Sequence, residues 1–285
     1  MGSYYGAQTV RARENFPISG IRPHQAFIKS MVYIKRAAAK VNNELGCLDD
    51  EKGKAIINAA DRIIAGEFQD QFVVDVYQAG AGTSCHMNVN EVIANIAIES
   101  LGGKKGDYSV IHPNDHVNFG QSTNDVFPTA MRIAALSLLT ELFPVVDELA
   151  DRLNEKVEEF DSIIKSGRTH LQDAAPIKLG QEFCGYASAV SKAVEKIRRA
   201  SDALKELGIG GTAVGTGLNT HPDYAHKIIF ELNEITGLGV RASSNYFEAM
   251  QSNAPVTEVS GAVKVLAIEL IRIANDLRLL SSGPK

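Results

Sequence analysis

Three short polar segments carry the residue types that could do chemistry. They are Gly80-Ala81-Gly82-Thr83-Ser84, Gly120-Gln121-Ser122-Thr123-Asn124-Asp125 and Gly167-Arg168-Thr169-His170-Leu171-Gln172-Asp173. Each is rich in hydroxyl or amide donors, and each is expected just ahead of a helix. Taken singly, Ser, Thr, Asn and Asp in such places are N-caps, worth about 1 kcal/mol each. Helix N-termini also carry unpaired N–H groups and partial positive charge, so several converging would make a carboxylate-binding pocket without Lys or Arg. His170 adds a group whose ordinary pKa of about 6.5 suits acid–base work or donation to a carboxylate, although a lone histidine is more often a structural hydrogen-bonder.

Two other clusters raise different chemistry. His112 and His116 lie close together, and Cys85-His86 supplies further ligand types. No CxxC, no HExxH and no carboxylate at helical spacing completes a ligand set, so no metal site is expected. The glycine-rich run Gly208 to Gly217 contains no Gly-Lys-Ser/Thr and follows no strand of a βαβ unit. It is expected to be a turn between two helices whose backbone approaches a ligand closely. No cofactor is expected.

The elements that must position these segments are helices. His24 to Leu45 has Phe27, Met31, Ile34 and Ala38 at helical spacing, with Gly46 to close it. A second helix is expected from Asp49 to Ala65. A third, Val89 to Leu101, would be capped by Asn88 or Asn90 and closed by Gly102-Gly103. Three long apolar-periodic stretches follow: Pro128 to about Phe160, Pro176 to about Leu207, and Pro255 to about Leu280. Each begins near a proline, which suits a first helical turn. Such lengths need partners along their whole extent, so a helical bundle is expected, completed between subunits. The small residues of Ala187 to Ala193 allow close helix approach. Only Ser162 to Lys165 and Val240 to Ser243 read as strands. The fold class is all-α, with an N-terminal helical domain over residues 1–118 and a long-helix bundle over residues 119–285.

The totals exclude several partners. The 285 residues carry a net charge of -5, which offers no polycation for nucleic acid and no basic face for an anionic membrane. No apolar run approaches the roughly 20 residues that span a bilayer. Cys47, Cys85 and Cys184 are too widely spaced for a disulfide framework, so a cytoplasmic location is expected.

In their order along the chain, these motifs resemble the fumarase/aspartase superfamily. The likeness runs from Tyr4-Tyr5-Gly6-Ala7-Gln8-Thr9 through Gly80 to Ser84, Asn88-Val89-Asn90-Glu91-Val92 and His112-Pro113-Asn114-Asp115-His116-Val117-Asn118. It continues through Gln121 to Asp125, Gly167 to Ala174, Gly211 to Asn219 and Asn275-Asp276-Leu277-Arg278. The resemblance implies the L-aspartase-like fold, a homotetramer with active sites shared between three subunits, and a small dicarboxylate substrate. It implies proton abstraction at C3 and loss of the C2 substituent through an enediolate-like species. By position, Thr83, Ser122, Thr123 and Asn124 resemble the family's substrate binders. Thr169 and His170, from another subunit, resemble its catalytic donors. His112, Asn114 and Asp115 resemble a peripheral dicarboxylate site.

Within the family, Tyr4-Tyr5-Gly6, Ala81 and Thr123 lean toward the aspartate ammonia-lyases. His112 to Asp115 and Asn245 to Ala249 lean toward the fumarases; the pocket residues weigh more, so aspartate is the expected substrate, with malate/fumarate the alternative. His86 stands where the family commonly has asparagine, and Gly120 where it has serine. The family's mobile serine loop, with its general base, is expected soon after Ser282-Gly283-Pro284, where the sequence stops. The chain is therefore expected to be truncated and to have little activity alone; a non-catalytic helical scaffold is the reading from another class.

Overall fold

The computed structural model describes residues 2–283. In chain order its elements are α1 (Ala7–Asn15), α2 (Gln25–Glu44), α3 (Asp50–Ile64), α4 (Thr83–Ser100), α5 (Thr123–Glu159), β1 (Ile164–Thr169), β2 (Gln172–Lys178), α6 (Leu179–Asp202), β3 (Glu206–Leu207), α7 (Tyr224–Thr236), β4 (Arg241–Ala242), α8 (Tyr246–Gln251) and α9 (Ala254–Leu280). The fold is all-α, with four short strands among the described residues. The chain forms two compact units: residues up to Ser137 with Leu204–Asn253, and Leu138–Ala203 with the region from Ala254 onward. This grouping differs from the 1–118 and 119–285 division, because α5 passes from one unit to the other and the segment after α6 returns to the first.

In the first unit α2 packs on α3 and α7, and α3 packs on α4. His24 caps α2 by accepting from Ala26 N, and Asp49 caps α3 by accepting from Glu51 N and Lys52 N, so both starts lie where the sequence puts them. Helix α4 differs from expectation. It begins at Thr83, six residues before the expected Val89, and Asn88 is no cap: it is buried, accepts from Val73 N and donates to Gln71 O. From Cys85 to Ile98 every residue except Met87 is buried, so α4 is the axis of this unit. Its Glu91 carboxylate accepts from Gly6 N, Gln8 N, Thr9 N and Thr9 Oγ1, mooring the start of α1. Those donors offset the cost of burying the carboxylate.

In the second unit α6 packs along α9. Buried Tyr186, Val190, Ala193, Val194 and Ile197 form one stripe of α6. On α9, Val259, Leu266 and Ile273 are buried at a spacing of seven, while Val265, Ile268 and Ile271 stay exposed. Gly167 to Asp173 does not precede a helix. It forms the end of an antiparallel hairpin of β1 with β2, in which Thr169 faces Gln172 and Pro176 faces Ser166. Pro176 therefore lies in a strand, and α6 starts three residues later. The two residues at the tip, His170 and Leu171, have φ of 48° and 62°. A two-residue hairpin loop demands that left-handed pair, which glycine or asparagine adopts more cheaply.

Candidate active site

The first unit brings the N-terminal turns of α4 and α5 to one cavity of about 740 Å³. Gly80, Ala81 and Gly82 supply one side, Thr123 and Asn124 another, and Ala213 and Val214 of the glycine-rich run a third. None of its lining residues is charged. Gly82 has φ 82°, and a Cβ there would lie 2.0 Å from the Phe127 ring, so only glycine lets α4 start against α5. The Gln78 side chain caps α4 by accepting from Cys85 N at 2.6 Å. Thr83 heads the helix and is exposed.

At α5 the serine and the aspartate act together. Ser122 Oγ accepts from Asn124 N at 3.2 Å, while Ser122 N donates to Asp125 Oδ1 at 2.9 Å, a reciprocal capping arrangement. The other oxygen of Asp125 accepts from Gly210 N at 3.1 Å and Thr212 N at 2.9 Å. Asn124 Nδ2 donates to Ala213 O at 2.8 Å. The glycine-rich run is thus stitched to the start of α5, which is how it reaches the cavity wall. Burial pushes the Asp125 carboxyl up to about 6, against the lowering effect of the three backbone N–H groups and of Lys35.

Beneath Thr123 lies a buried polar chain. Lys35 Nζ contacts His86 Nε2 at 2.5 Å, Asn118 Oδ1 at 2.7 Å and Gln121 Oε1 at 2.9 Å. His86 Nδ1 lies 2.7 Å from Thr123 Oγ1. Burial lowers the pKa of Lys35, opposed by Asp125; burial and the lysine's charge lower that of His86. Arg132 works elsewhere: its guanidinium donates to the carbonyls of Glu206, Ala249 and Ser252, holding α8 so that Phe247 and Met250 close the cavity.

The structure brings together Thr123 and Asn124 on one wall, with Thr83 following Gly82 in the first turn of α4. Ser122 lines a second cavity of about 660 Å³, shared with Asn114, Asp115, Asn118 and Asn219. His112 caps the π-helical turn Pro113–Val117, its Nδ1 accepting from Asn114 N and Asp115 N. Asp115 Oδ2 is 3.3 Å from the same nitrogen, a contact that becomes an ion pair only when the ring is protonated. Thr169 and His170 belong to the second unit, exposed at the hairpin tip. Among the described residues no group of three or more His, Cys, Asp or Glu is arranged to hold a metal ion.

Sequence reasoning did not single out Lys35. The signal was present: Ile28, Met31, Val32 and Ala39 surround it on the apolar face of α2, where a lysine must find partners. His86 was noticed as a departure, without its link to Thr123.

The sequence profile of a family described as lyase matches residues 2–285. An aspartate ammonia-lyase from a Bacillus species is 50% identical over 283 residues, covering 99% of this chain and 60% of that protein. A class II fumarate hydratase from Halobacterium salinarum is 52% identical over 284 residues, again covering 99% of this chain and 60% of the other. A crystal structure of fumarate lyase:delta crystallin from Brucella melitensis bound to cobalt superposes with a TM-score of 0.96 at 45% identity, covering 100% of this chain and 62% of that one. The class II fumarase of Schistosoma mansoni gives 0.95 at 36% identity, covering 100% and 63%. The chain thus spans about 60% of the length of these curated relatives.

Proposed function

The chain belongs to the fumarase/aspartase superfamily of lyases, and from that membership we propose that it carries the substrate-binding part of an aspartate ammonia-lyase. The reaction is conversion of L-aspartate to fumarate and ammonia. A base takes the C3 proton, and the electron pair it leaves moves onto the adjacent carboxylate as an enediolate. Collapse of that species forms the C2=C3 double bond and expels ammonia from C2. The developing charge needs donors fixed before reaction begins.

The observation that carries this reading is the uncharged cavity at the N-termini of α4 and α5. The helix N-termini and the Thr123 hydroxyl can bind carboxylate there without a basic residue, with Thr83 next to Gly82 at the cavity's edge and Ser122 acting through its cap of α5. The bond from Asn124 Nδ2 to Ala213 O fixes the amide's orientation, leaving Oδ1 as its one acceptor beside a second N–H. An acceptor there suits the substrate's ammonium, which only donates. Thr169 and His170 reach the site of another copy in this proposal. Their exposed hairpin tip, in a costly backbone conformation, supports that role. The exposed Ile268 and Ile271 of α9 support a homotetramer. In this proposal Asn114 and Asp115, which line the second cavity, and His112, which caps their turn, form a peripheral dicarboxylate site. Among the described residues no helix is long and apolar enough to cross a membrane; three unpaired cysteines support a cytoplasmic setting.

A fumarate hydratase acting on malate and fumarate is the second reading, favoured by the 52% identity to the Halobacterium enzyme. The test follows fumarate by ultraviolet absorbance in the complete protein carrying this chain, with L-aspartate and L-malate in parallel. Turnover of aspartate alone supports the ammonia-lyase, and turnover of malate alone establishes the hydratase. Fumarate from neither sinks both and leaves a non-catalytic scaffold. Asn124→Ala is expected to lower kcat/KM for aspartate about tenfold, the worth of one hydrogen bond to a charged group.

A further inference from the structure

We propose that His86 is a positioning residue: with the Lys35 ammonium on Nε2 and Thr123 Oγ1 on Nδ1, it directs the Thr123 hydroxyl hydrogen into the cavity, toward a substrate carboxylate. The inference deepens the dicarboxylate reading above and rests on it for the identity of the ligand.

The argument is a count of hydrogens. Gln121 Nε2 donates to Val117 O and Phe119 O, and Asn118 Nδ2 donates to Gln121 O. Both amides are therefore oriented by the backbone, and their oxygens must face Lys35. An ammonium has three hydrogens, and it meets three acceptors when His86 Nε2 is the third. Burial disfavours that charged form and the Asp125 carboxylate opposes the burial; the two fixed amide oxygens, which can only accept, are what call for donors on Nζ. Nε2 then accepts, and a neutral ring carries its one hydrogen on Nδ1. That hydrogen points at Thr123 Oγ1, 2.7 Å away.

The hydroxyl oxygen is thereby occupied as an acceptor, and its own hydrogen must go elsewhere. Thr123 is the first residue of α5, so no preceding helical turn offers a carbonyl at the usual place. The cavity is what remains, and Thr123 lines it. The positive charge of a lysine that never reaches the cavity wall is passed to it through two aligned hydrogen bonds. A neutral Lys35 would reverse the whole chain: Nε2–H would donate to it, and Thr123 would donate to Nδ1. The cavity would then meet an acceptor, which repels a carboxylate.

Neutron diffraction at neutral pH reads this polarity directly. Three deuterons on Lys35 Nζ, one on Nδ1 of His86 and a Thr123 deuteron directed into the cavity are expected. Deuterium on Nε2 with two on Lys35 would overturn the proposal. Fumarate binding to the complete protein, measured by calorimetry, supplies the second arm. His86→Asn keeps a donor near the Nδ1 position and is expected to bind within a few-fold of wild type. His86→Phe keeps the ring without a donor and is expected to weaken binding about tenfold. In a Thr123→Val background, His86→Phe is expected to add nothing; an undiminished further loss would mean that the ring acts through packing and would overturn the role. If the deuterons lie as expected and wild type binds no fumarate, the dicarboxylate reading fails, while the donor into the cavity stands.

Discussion

Asp125→Asn should change how stability depends on pH more than it changes stability at any one pH. The carboxyl is buried and its pKa is raised from 3.8 to about 6. The sign follows from proton binding. Between the unfolded and folded values the native state holds the proton and the unfolded state has lost it. Stability therefore falls as pH rises through this window. A difference of about two pKa units corresponds to about 3 kcal/mol, contributed fully below the unfolded pKa and lost once pH exceeds about 6. Asparagine cannot titrate. Its oxygen can keep Gly210 N and Thr212 N, while its amide meets Ser122 N, a second donor, at the cost of one hydrogen bond. That cost is the same at every pH. Urea unfolding followed by circular dichroism at half-unit steps from pH 4 to pH 7.5 isolates the titrating part. The stability of wild type minus that of the variant should shrink by about 2.5 kcal/mol from pH 4 to pH 7, the rest of the effect lying below pH 4. A constant difference across the window would refute the reasoning, because it would mean that the carboxylate is ionised throughout and that its three N–H donors outweigh burial.

Gly82→Ala should lower the melting temperature and weaken fumarate binding together, because the left-handed φ costs about 1–2 kcal/mol and the new methyl displaces the Phe127 ring; calorimetry of both quantities checks this, and an unchanged melt would show that the turn relaxes freely. Asp75 works at the other end of the pH scale. Burial raises its pKa, but hydrogen bonds from Tyr77 N, Ser19 Oγ, Ser19 N and Gly20 N overcome that and hold it at about 2. A depressed folded pKa gives stability that is present above the unfolded value near 3.8 and lost as pH falls toward 2. Asp75→Ala should therefore match wild type more closely at pH 2 than at pH 5 when the urea series is extended to pH 2, and should free the Ser19–Gly20 segment for proteolysis.

What the sequence could disclose follows from how local each determinant is. The starts of α2, α3 and α9 were readable because a cap or a proline sits within a residue or two of the first turn. The start of α4 was not. Asn88 and Asn90 have the chemistry of caps, but Asn88 is bonded to Gln71 and Val73, and nearly every face of the helix is buried. With no polar face, periodicity could not show that the helix began earlier. Of the β1–β2 hairpin, the Ser162 to Lys165 reading touches only the start of β1, and β2 escaped for the opposite reason. Gln172 to Lys178 is mostly exposed, and a strand with no buried face leaves no alternation to detect.

The candidate site divides along the same line. Thr123, Asn124 and the Gly82 turn were legible because helix N-termini advertise their donors locally. Lys35 and Asp125 were named in no role, because the value of a buried charge depends on partners far along the chain: Lys35 meets Gln121 across 86 positions, and Asp125 meets Thr212 across 87. These two charges are what make a neutral cavity selective. Helix N-termini favour an anion, but the hydroxyl and amide groups beside them can each serve as donor or acceptor, and do not alone choose between a carboxylate and an ammonium. The Asn118 and Gln121 oxygens and the Asp125 carboxylate favour a charged Lys35 against its burial, Lys35 fixes the His86 tautomer, and the tautomer makes Thr123 a donor. One residue on, Ala213 O holds the amide of Asn124 in a fixed orientation, so that its oxygen is available as an acceptor. A donor and an acceptor at adjacent positions of α5 are the minimum needed to orient a molecule carrying a carboxylate beside an ammonium. The first polarity is set by buried groups behind the wall, where neither substrate nor water competes for them; the second is set by a carbonyl of the wall itself.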